Sequence, residues 1–378
     1  MILQSADMVR LAVLRDYREE NWPSMNLCAD MLLTHLPQVA PNFVIDDCCP
    51  PYRRRFTRLP VLGESRFALN TDRLLNRFHD YPRRARRIRN EFDVFHVVDH
   101  SYAQLVHQLP AEHVGVQCHD LDAFRSLLEP ESEPRPAWFR QLMSRVLDGL
   151  KRAAVVFYAS AEVGRAINAA GICTADRLVY APYGVAAEFL EKGDDIAPPL
   201  PSGPPYLLHV GSCIDRKRVD VLLDVYANLR PGRRLRLVQI GGVWTPAQVE
   251  QITRLGIEND VVQLRGLTRR QLAAIYRDAA LVLQPSDAEG YGLPVVEALA
   301  CGANVVVSDI PVLREVGGDV VSFAPVADIA AWNDIASRLL DAPETAPSLE
   351  VRRAWAAKFT WEAQARTIAE AYRKLLGG

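Results

Sequence analysis

The stretch from Pro285 to Gly302 reads PSDAEGYGLPVVEALACG, and the apolar segment LVLQ precedes it. The apolar segment predicts a buried strand, and the spacing of LPVVEALACG predicts a helix. Pro294 suits the first turn of that helix, and Gly302 suits the position just past its end. A second apolar run, NVVVSD, follows at once. The stretch is therefore a strand–loop–helix–strand unit, typical of a doubly wound α/β sheet.

The same alternation of short β-branched runs and helical patterns continues along the chain. Several runs are apolar at every position, as expected for parallel strands that are covered on both faces. We predict strands at Leu11–Leu14, Val94–Val98, Val114–Cys118, Val155–Ala159, Tyr206–Val210, Leu235–Ile240, Val261–Leu264, Leu281–Gln284, Val305–Ser308 and Val320–Phe323.

Length and proline content predict two domains. At 378 residues the chain is too long for one ordinary core. Residues 191–205, EKGDDIAPPLPSGPP, contain five prolines and no apolar periodicity, which indicates a linker. We expect one Rossmann-like domain over 1–190 and another over 191–360. The helical stripe that begins at Trp361 either completes the second domain or crosses back to the first.

Composition narrows the class of protein. Apolar residues make up 49% of the chain and the net charge is −2, which is typical of a globular enzyme. We expect no membrane span, because no apolar run approaches about 18 residues. We expect no signal peptide, because the N-terminal stretch lacks a long apolar h-region and a small-residue cleavage site. The seven cysteines are scattered without a CxxC pair, so we expect reduced thiols, a cytoplasmic location and no metal site.

The loop after LVLQ carries Glu289, Gly290 and Gly292, and Glu297 lies one turn into the helix. Helix N-termini at the carboxyl ends of parallel strands bind anions, and glycines let a ligand approach the backbone. Two carboxylates beside such a cradle suit a nucleotide-sugar, with phosphates in the middle and hydroxyls at both ends. The alternative is that the glycines serve the turn alone and Glu297 lies on a solvated face.

A second loop follows the strand YLLHV and includes Arg216 and Lys217 just before a predicted helix. Cations beside a helix N-terminus would act together on a phosphate. The alternative is a solvated basic loop.

These two stretches, in this order, resemble the retaining family-4 glycosyltransferases, which have the GT-B fold. The family signature is Glu, seven residues, Glu, with Gly-Phe-Gly after the first; here it runs from Glu289 to Glu297, with Tyr291 for Phe. The turn at 182–185 and the sequence Phe-Thr-Trp at 359–361 are similar to family features as well. The resemblance implies two Rossmann-like domains facing a central cleft, with the terminal helix, 361–378, returning to the N-terminal domain.

The resemblance also implies roles for residues. Lys217 would bind the donor phosphates, Glu289 would orient the sugar and Glu297 would hold the ribose. Many family members have Gly-Arg where this chain has Gly211-Ser212, and Arg216 is the candidate replacement for that arginine. The other implied donor-binding residues are Gly211, Ser212, Gly266, Leu267, Gly290, Tyr291, Gly292 and Leu293.

The first domain would present the acceptor. His119 and Asp120 follow a predicted strand, and the family has a catalytic histidine at this position; a structural histidine is the alternative. His100 follows another strand end. In the loop YREENWPS, we expect Glu20, Asn21 and Trp22 on the acceptor side, with Ser24 capping the next helix, although an ordered surface loop would explain the same residues.

Residues 52–90 contain 12 arginines and 3 acidic residues, a net charge of +9. Leu74, Leu75 and Phe78 would form a short apolar face, and Pro82 would interrupt the helix. The segment Arg53–Arg89 is a candidate surface for an anionic membrane, with a solvated helix as the alternative. No recognition motif for nucleic acid accompanies it.

The implied activity is metal-independent transfer of a hexosyl group, with retention, from a UDP- or GDP-sugar to a hydroxyl. The acceptor is unknown, and polysaccharide or lipid-linked acceptors at the inner face of the membrane both fit. No cofactor is expected beyond the nucleotide-sugar co-substrate. Two alternatives stay open: a GT-B sugar-nucleotide epimerase and a non-catalytic partner subunit.

Overall fold

The chain forms two compact units in a computed structural model, which describes residues 8–60, 63, 65–191, 200 and 203–377. Unit 1 comprises Met1–Pro182 and Trp361–Gly378, and unit 2 comprises Tyr183–Thr360. No helix in the described part of the chain is long and apolar enough to cross a bilayer. All seven cysteines lie in that part and are free thiols.

Unit 1 is a six-stranded parallel sheet with the order β2-β1-β3-β4-β5-β6. Its strands are β1 Val9–Leu14, β2 Phe43–Asp47, β3 Val94–Val97, β4 Val114–Cys118, β5 Val155–Tyr158 and β6 Leu178–Tyr180. Its helices are α1 Pro23–Val39, α2 Arg66–Leu75, α3 Tyr81–Ile88, α4 Arg125–Leu128, α5 Ala137–Arg152, α6 Ala161–Ala169 and, after unit 2, α15 Trp361–Gly377.

Unit 2 is also a six-stranded parallel sheet, with the order β12-β11-β10-β7-β8-β9. Its strands are β7 Tyr206–Val210, β8 Arg236–Ile240, β9 Val261–Leu264, β10 Leu281–Gln284, β11 Val305–Ser308 and β12 Ser322–Ala324. Its helices are α7 Ala187–Leu190, α8 Val219–Leu229, α9 Pro246–Leu255, α10 Arg269–Asp278, α11 Leu293–Cys301, α12 Pro311–Gly317, α13 Ile329–Asp341 and α14 Leu349–Ala356.

The predicted doubly wound fold is confirmed, with differences of detail. The sequence did not predict β2 and β6, and β12 begins at Ser322 because Gly318–Val320 forms a short 3₁₀ turn. The predicted boundary at residue 190 is wrong. Helix α7 packs with α10 and α11, and Arg277 donates to the carbonyls of Glu188 and Glu191, both at 2.8 Å. Most of the predicted linker, 191–205, lies outside the described residues.

Helix α15 completes unit 1 through a buried tyrosine. The Tyr372 hydroxyl donates to the Phe95 carbonyl at 3.0 Å, so the His96 Nδ1–H donates to that hydroxyl at 2.9 Å. Burial lowers the pKa of His96 to about 3, which keeps the ring neutral. A Cβ on Gly115 of β4 would lie 2.4 Å from the Tyr372 hydroxyl, so this close approach requires glycine.

We predict that Tyr372→Phe lowers the free energy of unfolding by about 2 kcal/mol, because two buried polar groups lose their partner. Urea denaturation of the full chain measures the loss. The matched control is Tyr180→Phe, at a position that is 44% exposed. A loss no larger than that of the control would contradict the anchoring role of Tyr372.

Candidate functional site

The strand order of unit 2 reverses direction between β7 and β10, which are neighbours in the sheet. Ligands of open parallel sheets bind at the carboxyl ends of strands at such a switch point. The loop after β7 contains a 3₁₀ turn, Asp215–Lys217, and the loop after β10 leads to α11. The Asp287 N–H donates to the Arg216 carbonyl at 2.9 Å, which joins the two loops.

Glu289 is the centre of a polar cluster within unit 2. The Lys217 ammonium donates to both oxygens of its carboxylate, at 2.6 and 2.8 Å. Arg216 lies 3.4 Å from the same group and also donates to the Ala288 carbonyl at 3.0 Å. The Ser286 hydroxyl and the Gln284 amide donate to Oε1 at 2.7 and 3.0 Å. The structure therefore brings Glu289, Lys217 and Arg216 together.

The Glu289 side chain is only 5% exposed. Burial alone would raise its pKa, but the charges of Lys217 and Arg216 and the hydrogen bonds from Lys217 and Ser286 lower it to about 2. Glu289 is ionised at neutral pH. It can accept hydrogen bonds from hydroxyls, and it cannot serve as a proton donor.

His209 of β7 lies beneath this cluster and was not predicted from the sequence. It is fully buried, and neither ring nitrogen has a hydrogen-bond partner among the described residues. Burial and the nearby charge of Lys217 lower its pKa to about 3, so the ring is neutral. Its neighbour on the loop is Gly211, where an added Cβ would contact the ring at 3.4 Å. Ser286 and Gln284 were missed as well, since nothing in their spacing marks them.

Backbone geometry forms the start of α11 as predicted. Gly292 is the N-cap with φ 99°, and a Cβ there would come within 3.0 Å of Leu313. Pro294 lies in the first turn, and Gly302 ends the helix with φ 84°. Leu293 is the first residue of α11. These residues place the N-terminal N–H groups of α11 directly after the Glu289 loop.

Glu297 is buried inside α11, so its alternative placement on a solvated face is wrong. The Tyr276 hydroxyl donates to Oε2 at 3.2 Å. Burial raises the pKa of Glu297 to about 8, against the smaller effects of the Tyr276 hydrogen bond and the charge of Arg269. Glu297 is therefore mostly protonated at neutral pH without ligand, whereas Glu289 is ionised.

Three other predicted donor-binding residues lie outside the Glu289 cluster. Tyr291 is buried, donates to the Tyr183 carbonyl at 2.7 Å and packs on Tyr183 and Phe359, so its side chain holds the start of unit 2. Gly266 has φ 69° and follows the edge strand β9 with Leu267, two strands away from β7. The structure does not bring Gly266 and Leu267 into the Glu289 cluster.

The predicted acceptor residues of unit 1 follow the strands β1, β3 and β4. His119 is buried, and its Nε2–H donates to the Val98 carbonyl at 2.7 Å. Burial lowers the pKa of His119. The His119 N–H donates to Nδ1 of His100 at 3.3 Å. His119 is therefore held firmly in place, and Asp120 lies beside it with a carboxylate that accepts from the Asp122 N–H at 3.0 Å.

The N-terminal loop differs from its prediction. Helix α1 begins at Pro23 with Trp22 as N-cap and no side-chain cap, so Ser24 does not cap it. Asn21 adopts a left-handed conformation with φ 57°. The Glu20 side chain is 2% exposed and pairs with Arg73 at 2.9 Å, whereas Trp22 is 49% exposed.

The arginine-rich segment divides into two groups. Arg73 and Arg77 pair with Glu20, and Arg55 pairs with Asp80. The others are exposed: Arg53, Arg54, Arg58, Arg66, Arg83, Arg84, Arg86, Arg87 and Arg89.

The expected helix break and apolar face of this segment are wrong. A π-helical turn, Asn76–Asp80, joins α2 to α3, so the chain stays helical across Pro82, which lies in the first turn of α3. Leu75 and Phe78 are half-buried, and Phe78 packs on the core. The exposed apolar side chains are instead Phe67, Leu69 and Leu74 of α2, together with Leu59.

Comparison with known proteins indicates the family that the second unit resembles. A model of the glycosyl transferases group 1 matches residues 193–358, a range that lies within unit 2. The predicted family resemblance is confirmed at this level, and the matched range contains both the Lys217 and the Glu289 loops.

The chain is similar to D-inositol 3-phosphate glycosyltransferase of Segniliparus rotundus, which is 34% identical over 45% of the chain. That alignment spans only 40% of the relative's own length. The O-antigen chain mannosyltransferase B of Escherichia coli is 27% identical over 68% of the chain and 69% of its own length. The structure of Anabaena Alr3699/HepE in complex with UDP and glucose has a TM-score of 0.73 at 16% identity, covering 97% of this chain and 100% of that one. This likeness supports the GT-B fold over the whole chain.

Within the described residues, no group of three or more His, Cys, Asp or Glu side chains could hold a metal ion.

We predict that Glu297→Gln removes a pH dependence of stability. A carboxyl with its pKa raised from 4.5 to about 8 contributes stability that is complete below pH 4.5 and lost as the pH rises through 8. Between pH 4.5 and 8, the free energy of unfolding of the variant should therefore rise relative to that of the wild type, by up to about 1.4 kcal/mol per pH unit. Urea unfolding of both proteins at about pH 5, 6.5 and 8 measures this difference. A difference that does not change with pH would contradict the buried, protonated state of Glu297.

Proposed function

We propose that the protein is a retaining glycosyltransferase that moves a hexosyl group from a nucleotide-sugar to an acceptor hydroxyl, without a metal ion. The observation that carries the proposal is the Glu289–Lys217–Arg216 cluster at the switch point of unit 2, inside the range that matches the family. Relatives named as glycosyl- and mannosyltransferases support a hexosyl group. The HepE complex with UDP and glucose supports a nucleotide-sugar donor.

In this proposal, cations and N–H groups stabilise the leaving diphosphate. Lys217 and Arg216 lie on the loop after β7, and the N-terminus of α11 follows the neighbouring strand. Together they offer positive charge on two sides of one position, where a diphosphate would compete with Glu289 for Lys217. Arg216 supplies the charge that Ser212 lacks.

Glu289 would orient the sugar by accepting hydrogen bonds from its hydroxyls. Its pKa of about 2 suits an acceptor, and it argues against a role as general acid. Glu297 would receive the ribose hydroxyls at the other end of the donor. His119, held by Val98 and His100, would be a positioning residue of unit 1. The leaving phosphate itself would take the proton of the acceptor hydroxyl.

We predict that Lys217→Ala weakens binding of UDP or GDP at least tenfold and leaves binding of uridine or guanosine nearly unchanged. Arg216→Ala should act in the same direction, more weakly. Glu289→Gln should lower turnover about 10- to 100-fold, the worth of hydrogen bonds to a charged group. Titration calorimetry with each ligand and release of nucleoside diphosphate measure these effects, with the exposed Lys151→Ala as control.

Equal losses for nucleoside and diphosphate would assign Lys217 a structural role only.

Thermal shift with UDP-, GDP- and ADP-sugars identifies the donor base, because a ligand that binds the folded state raises its melting temperature. No shift with any of them would contradict the proposed function. Release of a free epimerised nucleotide-sugar without acceptor would identify an epimerase instead.

We also propose that unit 1 binds anionic membranes through the exposed arginines of α3 and the loop before α2. The exposed apolar side chains of α2, with Phe67 at 69%, lie on the same segment and suit the headgroup region. Each arginine near an anionic surface contributes about 1 kcal/mol. A lipid-linked acceptor on the inner face of the membrane would fit this placement.

Vesicle sedimentation tests the membrane proposal. Binding should require anionic lipid, weaken at high salt and fall at least tenfold when Arg83, Arg84, Arg86 and Arg87 are changed to Gln. A control with the same change in net charge replaces four exposed arginines of other elements: Arg234, Arg254, Arg338 and Arg366. Equal losses in both variants would indicate a nonspecific charge effect, and no binding at low salt would contradict the proposal.

A further inference from the structure

The sheet of unit 1 has a switch point of its own, between β1 and β3. Asp16 follows β1, Asp99 follows β3, and His100 comes next in the chain. The carboxyl groups of Asp16 and Asp99 lie within hydrogen-bonding reach of each other, and Glu20 and Arg77 lie close to them. The site residues predicted from the sequence did not include Asp16, Asp99 or Arg77.

Several polar atoms of this cluster are buried and lack partners among the described residues. Asp16 is 2% exposed, and apart from the Asp99 carboxyl beside it, its two carboxyl oxygens have no hydrogen-bond partner among the described residues. Oε1 of Glu20 is likewise buried and has no hydrogen-bond partner among the described residues. His100 accepts at Nδ1 from the His119 N–H, so its Nε2 is a donor. Oδ1 of Asp120 lies 3.8 Å from Nε2, beyond hydrogen-bond distance, and Nε2 has no hydrogen-bond partner among the described residues. Buried polar groups are nearly always satisfied, so their concentration at one strand edge indicates a ligand.

The charges of the cluster indicate the chemistry of that ligand. The two arginines are already engaged: Arg73 and Arg77 pair with Glu20, and Arg77 also donates to the Ser101 carbonyl and lies over the Tyr102 ring. Burial and the neighbouring Asp99 raise the pKa of Asp16, while the charges of His100, His119 and Arg77 overcome burial and lower that of Asp99. Such a site offers carboxyl oxygens and one imidazole donor, and because its two arginines already pair with Glu20, these residues offer a phosphate no free cation.

We propose that the cluster of Asp16, Glu20, Asp99 and His100 binds the hydroxyl groups of an uncharged sugar or polyol, and that Asp16 selects it over a phosphorylated one. Hydroxyl groups both donate and accept, so they can satisfy carboxyl oxygens and an imidazole N–H at once. The proposal rests on the proposed function, in which unit 1 presents the acceptor. The part of the acceptor that contacts the cluster is then a neutral sugar or polyol, and an anionic or lipid group can be attached further away.

The test compares neutral and phosphorylated probes on the full chain. Saturation-transfer NMR titrations use methyl α-D-mannoside, methyl α-D-glucoside and myo-inositol against mannose 6-phosphate, glucose 6-phosphate and myo-inositol 1-phosphate. At least one neutral probe should bind the wild type more tightly than its phosphorylated counterpart. Asp16→Asn should weaken that binding at least tenfold, whereas the exposed Asp46→Asn of β2 should leave it unchanged.

Thermal unfolding at pH 8 separates binding from folding. An acid whose pKa is raised by burial destabilises the folded state above its ordinary pKa, so Asp16→Asn should melt no lower than the wild type. Tighter binding of the phosphorylated probes, equal affinities in the two variants, or no binding of any probe would each overturn the proposal. The proposed function fails by a different measurement, the absence of nucleotide-sugar binding, which involves unit 2 alone.

Discussion

Parallel strands place all their carboxyl ends at one edge of a sheet, and this constraint organises both units. Wherever the strand order reverses, two loops diverge and leave room for a ligand between them. In unit 2 the reversal lies between the paired strands β7 and β10 and brings Lys217 beside Glu289. In unit 1 it lies between the paired strands β1 and β3 and brings Asp16 beside Asp99. The same topology thus forms a cation-rich edge in one unit and a carboxyl-rich edge in the other.

Different hydrogen-bond and charge partners give two buried glutamates opposite protonation states. Glu289 has two cations and two neutral donors around its carboxylate and stays ionised, whereas Glu297 has one tyrosine hydroxyl and is mostly neutral. The difference follows from partners, since burial raises the pKa of both groups. A ligand that brings hydroxyls to Glu297 would supply the donors that an ionised carboxylate needs, so nucleotide binding and deprotonation of Glu297 are linked.

Much of the fold and part of the site could be predicted from the sequence. Continuous apolar runs marked ten strands, and Glu289 and Lys217 stood out because each follows such a run on a loop before a helix. Strands β2 and β6 escaped because β2 ends in two aspartates and β6 has only three residues. Asp16, Asp99 and His209 escaped because single polar residues near strands carry no spacing signal. Their significance comes from burial and from the groups that surround them there, which only the folded chain reveals.

The position of α15 has a consequence for the order in which the protein is made. Tyr372 closes unit 1 against β3 and β4, yet it follows the whole of unit 2 in the chain. During synthesis the sheet of unit 1 therefore leaves the ribosome long before the helix that completes it. Unit 2 is contiguous, and its residues can all fold first, although domains made earlier usually fold earlier. Until α15 has been synthesised, Nδ1 of His96 and the carbonyl of Phe95 lack the Tyr372 hydroxyl as their hydrogen-bond partner, and the core of unit 1 is incomplete.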